Sequence, residues 1–303
     1  PGAAAPAPPG AHPRAGAHDI TINGAAVYPE SVTASATGTV YVGSLGGTIY
    51  RAAPGARAAE PWITRSDQNG LLSIYGVLAD DRSGTLWVCT APAALPGGIA
   101  HGQSALLRFH LRTGAFRHRY PLLSTRSICD DIAMARDGTA FVADIGAGEI
   151  LTLAPGADAL RLLAQSPELV GIDGIAFGGD GALYIDNVRR SELLRVERTR
   201  EGRFERLVKL RTSMPIGGPD GLRPVAGNRF VLAEGRLGRI DEVAIRGEEA
   251  SIRVLRSGLD SPSGVAFARG NVYAVEGKIE YVFDPKLRGR SPAPFTVRVV
   301  RLP

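Results

Sequence analysis

The chain is 303 residues long, 44% of its residues are hydrophobic, and its formal net charge is +5. No apolar run approaches the roughly 20 residues of a membrane-spanning helix, so a span is excluded, and the length is ample for a buried core. The basic residues are mostly scattered arginines without a basic run, a pattern that does not predict nucleic-acid binding. We expect a monomer that acts on a small molecule.

Residues 1–17 are rich in proline and alanine and predict a disordered tail. Such a composition cannot bury enough apolar surface to fold. The segment is typical of what remains beside a secretion signal, which favours a periplasmic or secreted protein over a cytoplasmic one. Residues 18–303 are expected to form a single domain.

A hairpin pattern recurs six times along that domain. In each copy two short β-forming runs flank a turn, as in "CDDIAMARDGTAFVAD" from Cys129, where Asp-Gly supplies the positive φ of a tight turn. The copies follow one another at intervals of roughly 43 to 55 residues, which is typical of propeller blades. Their equivalent first-strand positions are Glu30, Tyr75, Asp130, Asp173, Asp220 and Ser263.

Each hairpin continues into a third β-forming run such as "GEILTLAPG", and usually a fourth such as "RLLAQ". Six repeats of four antiparallel strands predict an all-β protein, a six-bladed β-propeller. The runs "HDITING" near the start and "FTVRVVRLP" at the end belong to no hairpin, and we expect them to pair and close the ring.

The chain has two cysteines, Cys89 and Cys129, which end or begin strands in neighbouring repeats. A disulfide between adjacent blades is one interpretation in an oxidising compartment, and two buried thiols is the other.

Four of the six equivalent positions are acidic. In a propeller the first strands line the central channel and begin at one face, so Glu30, Asp130, Asp173 and Asp220 are expected to converge at the channel mouth. Carboxylates brought together raise one another's pKa values unless a cation or protons intervene. Hard oxygen ligands in this number predict calcium, with magnesium or manganese as alternatives. The competing interpretation is that each acid only caps a turn.

The sequence resembles the family of senescence marker protein, gluconolactonase and luciferin-regenerating enzyme, which are six-bladed calcium propellers. The resemblance rests on "YPESV" around Glu30, "CDDIA" around Asp130, "GIDGIAF" around Asp173 and "GGPDGL" around Asp220. It implies that Glu30, Asp173 and Asp220 are metal ligands, and that Asp130 is a ligand or a substrate-contacting group.

The chain departs from that family at two positions. Asp130 and Asp173 stand where the family often has asparagine, so an extra proton is expected in the site. Asp131 is expected to point away from Asp130 if the strand is regularly pleated, and to hydrogen bond within neighbouring loops.

Substrate contacts are expected from side chains and loops on the same face. The long loop Thr90–Ser104 carries His101, and long loops in compact domains are often functional. Tyr75 occupies the channel position of the second repeat. Further candidates lie just beyond second strands, where an ordinary charged rim is the alternative interpretation: Asn187, Arg189, Glu234 and Arg236.

These patterns predict a metal-dependent hydrolase of a lactone or related ester, with Asp220 or Asp130 as the general base. One alternative is a non-catalytic propeller that binds a small molecule or a protein around a structural metal. Another is a related propeller enzyme of the organophosphate-hydrolase or strictosidine-synthase type; the four acids argue against the latter.

Overall fold

The structure is a computed structural model that describes residues 18–93, 101–287 and 290–302. Within these residues the fold consists of β-strands, one short helix, α1 (Glu280–Phe283), and two 3₁₀ turns (Pro167–Leu169 and Pro285–Leu287). The predicted all-β class is confirmed. No helix in the described part of the chain is long and apolar enough to cross a membrane. The predicted tail, residues 1–17, lies outside the described residues.

The strands form six antiparallel groups of four, which we call units 1 to 6. The chain begins with the short strand β1 (Ile20–Ile22). Unit 1 contains β2 (Pro29–Ala34), β3 (Val40–Ser44), β4 (Thr48–Ala52) and β5 (Ala58–Thr64). Unit 2 contains β6 (Ser73–Asp80), β7 (Thr85–Ala91), β8 (Ala105–His110) and β9 (Phe116–Pro121). Unit 3 contains β10 (Cys129–Met134), β11 (Ala140–Asp144), β12 (Glu149–Leu153) and β13 (Arg161–Gln165).

The second half of the chain repeats this arrangement. Unit 4 contains β14 (Ile172–Phe177), β15 (Leu183–Asn187), β16 (Glu192–Arg198) and β17 (Phe204–Lys209). The two-residue strand β18 (Arg211–Thr212) precedes unit 5, which contains β19 (Pro219–Ala226), β20 (Arg229–Glu234), β21 (Arg239–Arg246) and β22 (Glu249–Ser257). Unit 6 contains β23 (Pro262–Ala268), β24 (Asn271–Glu276), β25 (Phe295–Arg301) and, as its fourth strand, β1.

The two ends of the chain pair with each other. Strand β1 is antiparallel to β25, with Ile20 opposite Val297 and Ile22 opposite Phe295. It also runs parallel to β5, which joins units 1 and 6 into one eight-stranded sheet. The predicted pairing of the terminal segments is confirmed.

The first strands of the six units contact one another in cyclic order, β2 with β6, then β10, β14, β19, β23 and again β2. Glycines make this approach sterically feasible. A Cβ atom on Gly76 would lie 2.0 Å from the backbone oxygen of Asp130, and one on Gly174 would lie 2.3 Å from the backbone nitrogen of Leu222. The first strands therefore meet through their backbones, which brings the residues beside these glycines close together.

The apolar core lies between neighbouring units. Val32, Val42, Tyr273, Val275 and Phe295, for example, are buried together between units 1 and 6. Equivalent clusters fill the other five interfaces of the described structure. Burial of these faces is the main force that holds the units together.

A disulfide joins Cys89 of β7 to Cys129 of β10, with 4.9 Å between their Cα atoms. Of the two interpretations that the sequence left open, the structure has the covalent link between units 2 and 3. It is anchored at the first residue of the strand that carries Asp130 and Asp131.

Candidate active site

The six equivalent first-strand residues share one backbone feature. In every unit the pairing of the first and second strands shifts register at this residue. In unit 1, for example, Pro29 and Ser31 pair with the neighbouring residues Ser44 and Gly43, so Glu30 between them has no partner in the ladder. The same shift occurs in the other five first strands. A β-bulge of this kind re-aims a side chain out of the regular pleat. Six bulges at one repeat position therefore turn six side chains in the same direction.

These side chains meet at one small cavity. Its lining includes all six equivalent residues: Glu30, Tyr75, Asp130, Asp173, Asp220 and Ser263. The cavity volume is about 10 Å³, which is room for a single water molecule or ion. The sequence prediction that the four acids converge agrees with this geometry.

The four carboxyl groups lie close to one another. Asp130 and Asp173 are buried, and Glu30 and Asp220 are half-buried. Burial, and after it the charge of Asp173, raises the pKa of Glu30, Asp130 and Asp220 well above the usual carboxyl range. Burial and the nearby Glu30 and Asp130 likewise raise the pKa of Tyr75. The protein by itself therefore disfavours full ionisation of this cluster.

Of the four acids, Asp173 has the neighbours that most oppose the rise of its pKa on burial. Burial and the charge of Asp131 raise its pKa to about 7, while a hydrogen bond with Asp130 and the nearby Arg223 oppose the rise. A hydrogen bond between two carboxyl groups requires one proton on the pair. The extra proton expected at Asp130 and Asp173 stays a prediction.

The donor chemistry of the cavity fits a hard cation. All four acids offer oxygen atoms, and Oε2 of Glu30 is buried without a hydrogen-bond partner. Such an oxygen is costly to bury unless a proton or a cation satisfies it. Among the described residues, no three acidic, histidine or cysteine side chains already stand in a metal-binding arrangement. Binding of a cation would therefore involve adjustment of these side chains.

Asp131 does not hydrogen bond within the neighbouring loops, so the expectation from a regular pleat is wrong. The bulge in β10 leaves it 5% exposed beside the cavity, where both its oxygens accept hydrogen bonds from the Arg223 guanidinium at 2.5 and 2.6 Å. Its Oδ2 also accepts from the backbone nitrogen of Ile175. This ion pair ties together the first strands of units 3, 4 and 5, which carry three of the four acids. Sequence reasoning missed Arg223.

Asp186 is a further acid that the sequence reasoning missed. It is fully buried at the end of β15, accepts a hydrogen bond from the backbone nitrogen of Gly174, and has a second oxygen without a partner. Burial and the charge of Asp173 raise its pKa well above the usual range. Alignment of the six repeats would have identified Asp186, because it is the only acid at its position. The equivalent residues are small or apolar: Gly43, Cys89, Ala143, Ala233 and Val275.

Two predicted substrate contacts have structural roles instead. Asn187 and Glu234 are fully buried. The Asn187 amide donates to the backbone oxygens of Glu168 and Val170, and Glu234 accepts from the backbone nitrogen of Gly217 and from Arg239. The equivalent side chains of the other units also bond to the loop that precedes their first strand: Ser44, Thr90, Asp144 and Glu276. This position anchors loops in every unit, and because both side chains are fully buried, neither is exposed to a substrate.

The remaining predicted contacts lie at different depths. Tyr75 is half-buried and lines the acidic cavity. Arg236 is exposed and packs beside Gly218, two residues before Asp220. Arg189 is exposed and packs over Gly171 in unit 4. His101 is exposed, and it follows residues 94–100 of the long loop, which lie outside the described residues. The structure does not place His101 in the lining of the acidic cavity.

Comparisons with known proteins bear on the fold of the chain. The gluconolactonase of Xanthomonas campestris superimposes with a TM-score of 0.65 at 16% identity, over 92% of this chain and 87% of that one. A luciferin-regenerating enzyme has a TM-score of 0.64 at 14% identity, over 91% and 93% of the two chains. The resemblance predicted from the motifs is confirmed. At these identities it shows a propeller-like fold.

Two further comparisons widen the range of activities on this fold. Virginiamycin B lyase of Staphylococcus aureus, solved with quinupristin, has a TM-score of 0.62 at 14% identity, over 94% of this chain and 99% of that one. The family described as strictosidine synthase-like, N-terminal, matches residues 15–52. No curated protein matches the chain by sequence.

The raised pKa values predict how the metal-free protein responds to pH. A carboxyl group whose pKa is higher in the folded than in the unfolded chain contributes stability below its unfolded pKa, and that contribution is lost as pH rises through the folded value. For Asp173 this window runs from 3.8 to about 7. We expect the free energy of unfolding, measured by denaturant titration with a chelator present, to fall as pH increases across this window.

Two comparisons make this test specific to the cavity. In Asp173→Asn the fall should be shallower, because one of the titrating groups is gone. Added calcium should reverse the trend, because the ionised acids bind a cation more tightly. Stability that rises steadily from pH 5 to pH 8 without metal would contradict the assignment.

Proposed function

We propose that the six units are the blades of one closed propeller and that the acidic cavity is the mouth of its central channel. The cyclic contacts of the six first strands and the sheet shared by units 1 and 6 support this arrangement. The chain would then present one functional face, built from the starts of its first strands and the loops between second and third strands.

We propose that this face carries a metal-dependent hydrolase that acts on a lactone or a related ester. The observation that carries the proposal is the convergence of four acids, from four different units, on a cavity with room for one ion. The likeness to a gluconolactonase supports the substrate class.

Glu30, Asp173 and Asp220 would hold the metal, with Asp130 beside them. Calcium is the proposed ion because it accepts several carboxylate oxygens in flexible geometry, and magnesium or manganese are alternatives. When bound, the ion would supply positive charge to the carbonyl oxygen of the substrate as negative charge develops there.

Asp130 is the proposed general base, with Asp220 as the second candidate. Its carboxyl group lines the cavity beside the proposed metal ligands, and in its ionised form it would accept a proton from an attacking water molecule. Tyr75, half-buried at the same cavity, would pack against the substrate or bond to it through its hydroxyl group. Arg236 at the edge can orient an anionic substrate group through its planar guanidinium.

A panel of aldonolactones and simple esters, assayed with calcium and after exhaustive chelation, tests this proposal. We expect turnover of at least one lactone with calcium and loss of that turnover without it. Asp67→Asn, which changes an exposed acid, should behave as the unchanged protein. Full turnover after metal removal would refute the mechanism.

A second candidate is a condensing enzyme of the strictosidine synthase type, which the match of residues 15–52 favours. A condensing enzyme of this type normally needs no metal. A condensation product that forms from two substrates at the same rate with and without a chelator would select this candidate. The four acids favour the hydrolase.

A further inference from the structure

Asp186 is the only acid at its position among the six second strands, and it is fully buried. This position faces the next unit: the equivalent Cys89 forms the disulfide that links unit 2 to unit 3. A buried carboxyl group is costly unless its neighbours engage it. Asp186 does not line the acidic cavity, so it is not placed to touch a metal ion or a substrate there. The contacts of its carboxyl group therefore indicate its role.

One oxygen of Asp186 holds the bulge that carries Asp173. Its Oδ1 accepts a hydrogen bond from the backbone nitrogen of Gly174 at 3.0 Å. The bulge leaves Asp173 and Gly174 out of the strand ladder, which resumes at Ile175, so this N–H group has a side chain as its acceptor instead. The N–H group belongs to the peptide that directly follows Asp173. The bond therefore fixes the orientation of that peptide, and with it the backbone angle that sets where the Asp173 side chain points.

The other oxygen of Asp186 lies against the same glycine. A Cβ atom on Gly174 would lie 2.4 Å from Oδ2 of Asp186 and 2.3 Å from the backbone nitrogen of Leu222. Gly174 is therefore enclosed between the Asp186 carboxyl group and strand β19, which carries Asp220. Oδ2 of Asp186 is buried and has no hydrogen-bond partner of its own. Both oxygens of Asp186 thus face the residue that follows Asp173.

The other hydrogen bonds of Asp173 reach across to neighbouring units. They join its carboxyl group to Asp130 of unit 3 and to the backbone of Gly221 in unit 5. These contacts hold Asp173 only while the three units keep their relative places. Asp186 belongs to the same unit as Asp173 and lies on the neighbouring strand of the same sheet. It therefore ties Asp173 to its own unit.

We propose that Asp186 is a positioning residue for Asp173. It acts through the peptide between Asp173 and Gly174 and keeps the Asp173 carboxyl group turned toward the acidic cavity. The inference rests on the proposed metal site, to which it adds a determinant of affinity. The hydrogen bond carries the effect, and the charge of Asp186 is not required for it. Residues that orient a metal ligand without touching the ion typically change metal affinity by about 10- to 100-fold.

Calorimetric titration of the metal-free full chain with calcium tests this role. Asp186→Ala removes the acceptor of the Gly174 N–H group, and we expect calcium affinity to fall about 10- to 100-fold. The fold should tolerate this change, because alanine occupies the equivalent position as Ala143 and Ala233. Asp186→Asn keeps a carbonyl oxygen as acceptor, so its affinity should stay close to that of the unchanged protein. Unchanged affinity in Asp186→Ala would overturn the role, and equal losses in both variants would overturn the hydrogen bond as its cause.

Amide hydrogen exchange at Gly174, measured without metal, separates this inference from the proposed function. We expect Gly174 to exchange faster in Asp186→Ala than in the unchanged protein or in Asp186→Asn. Equal exchange rates in all three proteins would refute the inference even if calcium binds. If the unchanged protein binds no calcium, the proposed metal site fails, and the exchange rates alone decide whether Asp186 holds the bulge.

Asp241→Ala is the matched control. Asp241 is also fully buried and has one oxygen without a hydrogen-bond partner, but it lies on the third strand of unit 5 and pairs with Arg239. Its replacement should lower the free energy of unfolding and leave both calcium affinity and the exchange of Gly174 unchanged. Equal effects of Asp241→Ala and Asp186→Ala would show a general result of removing a buried acid, which would refute the inference.

Discussion

Replacement of Arg223 by methionine is expected to lower the free energy of unfolding by about 3–5 kcal/mol, as is typical when one partner of a buried ion pair is removed. The variant would leave Asp131, which is 5% exposed, without its partner among other buried acids. Strands β10 and β19 would also lose the contact that links them, while the bond from the Ile175 backbone nitrogen to Asp131 would remain. Denaturant titration at fixed pH, with a chelator present, measures the change.

Three further variants separate charge from geometry. Arg223→Lys keeps the charge but loses the bidentate contact, so its stability should lie between those of the unchanged protein and Arg223→Met. The double variant Asp131→Asn with Arg223→Met should be more stable than Arg223→Met alone, because no uncompensated charge remains. Lys209→Met breaks an ion pair in which the lysine is 65% exposed and should cost no more than about 1 kcal/mol. A loss in Arg223→Met no larger than that in Lys209→Met would show that the pair is not structurally important.

Asp130→Asn is expected to reduce lactone turnover by about 10²–10⁴-fold, the usual contribution of a general base, and to leave calcium binding intact. An amide has nearly the same size and shape as a carboxyl group, so the local geometry should survive. Steady-state kinetics with saturating calcium measures the loss of turnover. The calcium-induced rise in melting temperature measures binding, because a ligand that binds only the folded state stabilises it.

Asp173→Asn should have the contrasting effect. If Asp173 is a charged ligand, calcium affinity falls and the calcium-induced rise in melting temperature shrinks. Asp67→Asn serves as the control for both variants. Unchanged metal binding and unchanged turnover in Asp130→Asn and Asp173→Asn would mean that the acids only cap turns.

Much of the candidate site could be predicted because it repeats. The six hairpins identify the position that Glu30, Asp130, Asp173 and Asp220 share, and symmetry of the fold then brings these residues together. Prediction is weaker where a repeated position serves the packing of loops. Asn187 and Glu234 lie at the end of a second strand, which predicts a substrate contact. In the structure this position anchors the loop before each first strand, and that contact exists only once the loop is folded back.

The sequence by itself determined the strands, the repeat and the acidic position, since these depend on local periodicity and turn chemistry. Only the tertiary structure decided the bulges, the disulfide and the pairing of Asp131 with Arg223, which are 92 positions apart. Contacts between distant segments depend on how closely the first strands approach, and that distance is set by packing around glycines such as Gly76 and Gly174. The bulges could not be predicted from the sequence because a bulge changes where one side chain points without changing the hydrophobic pattern that predicts its strand.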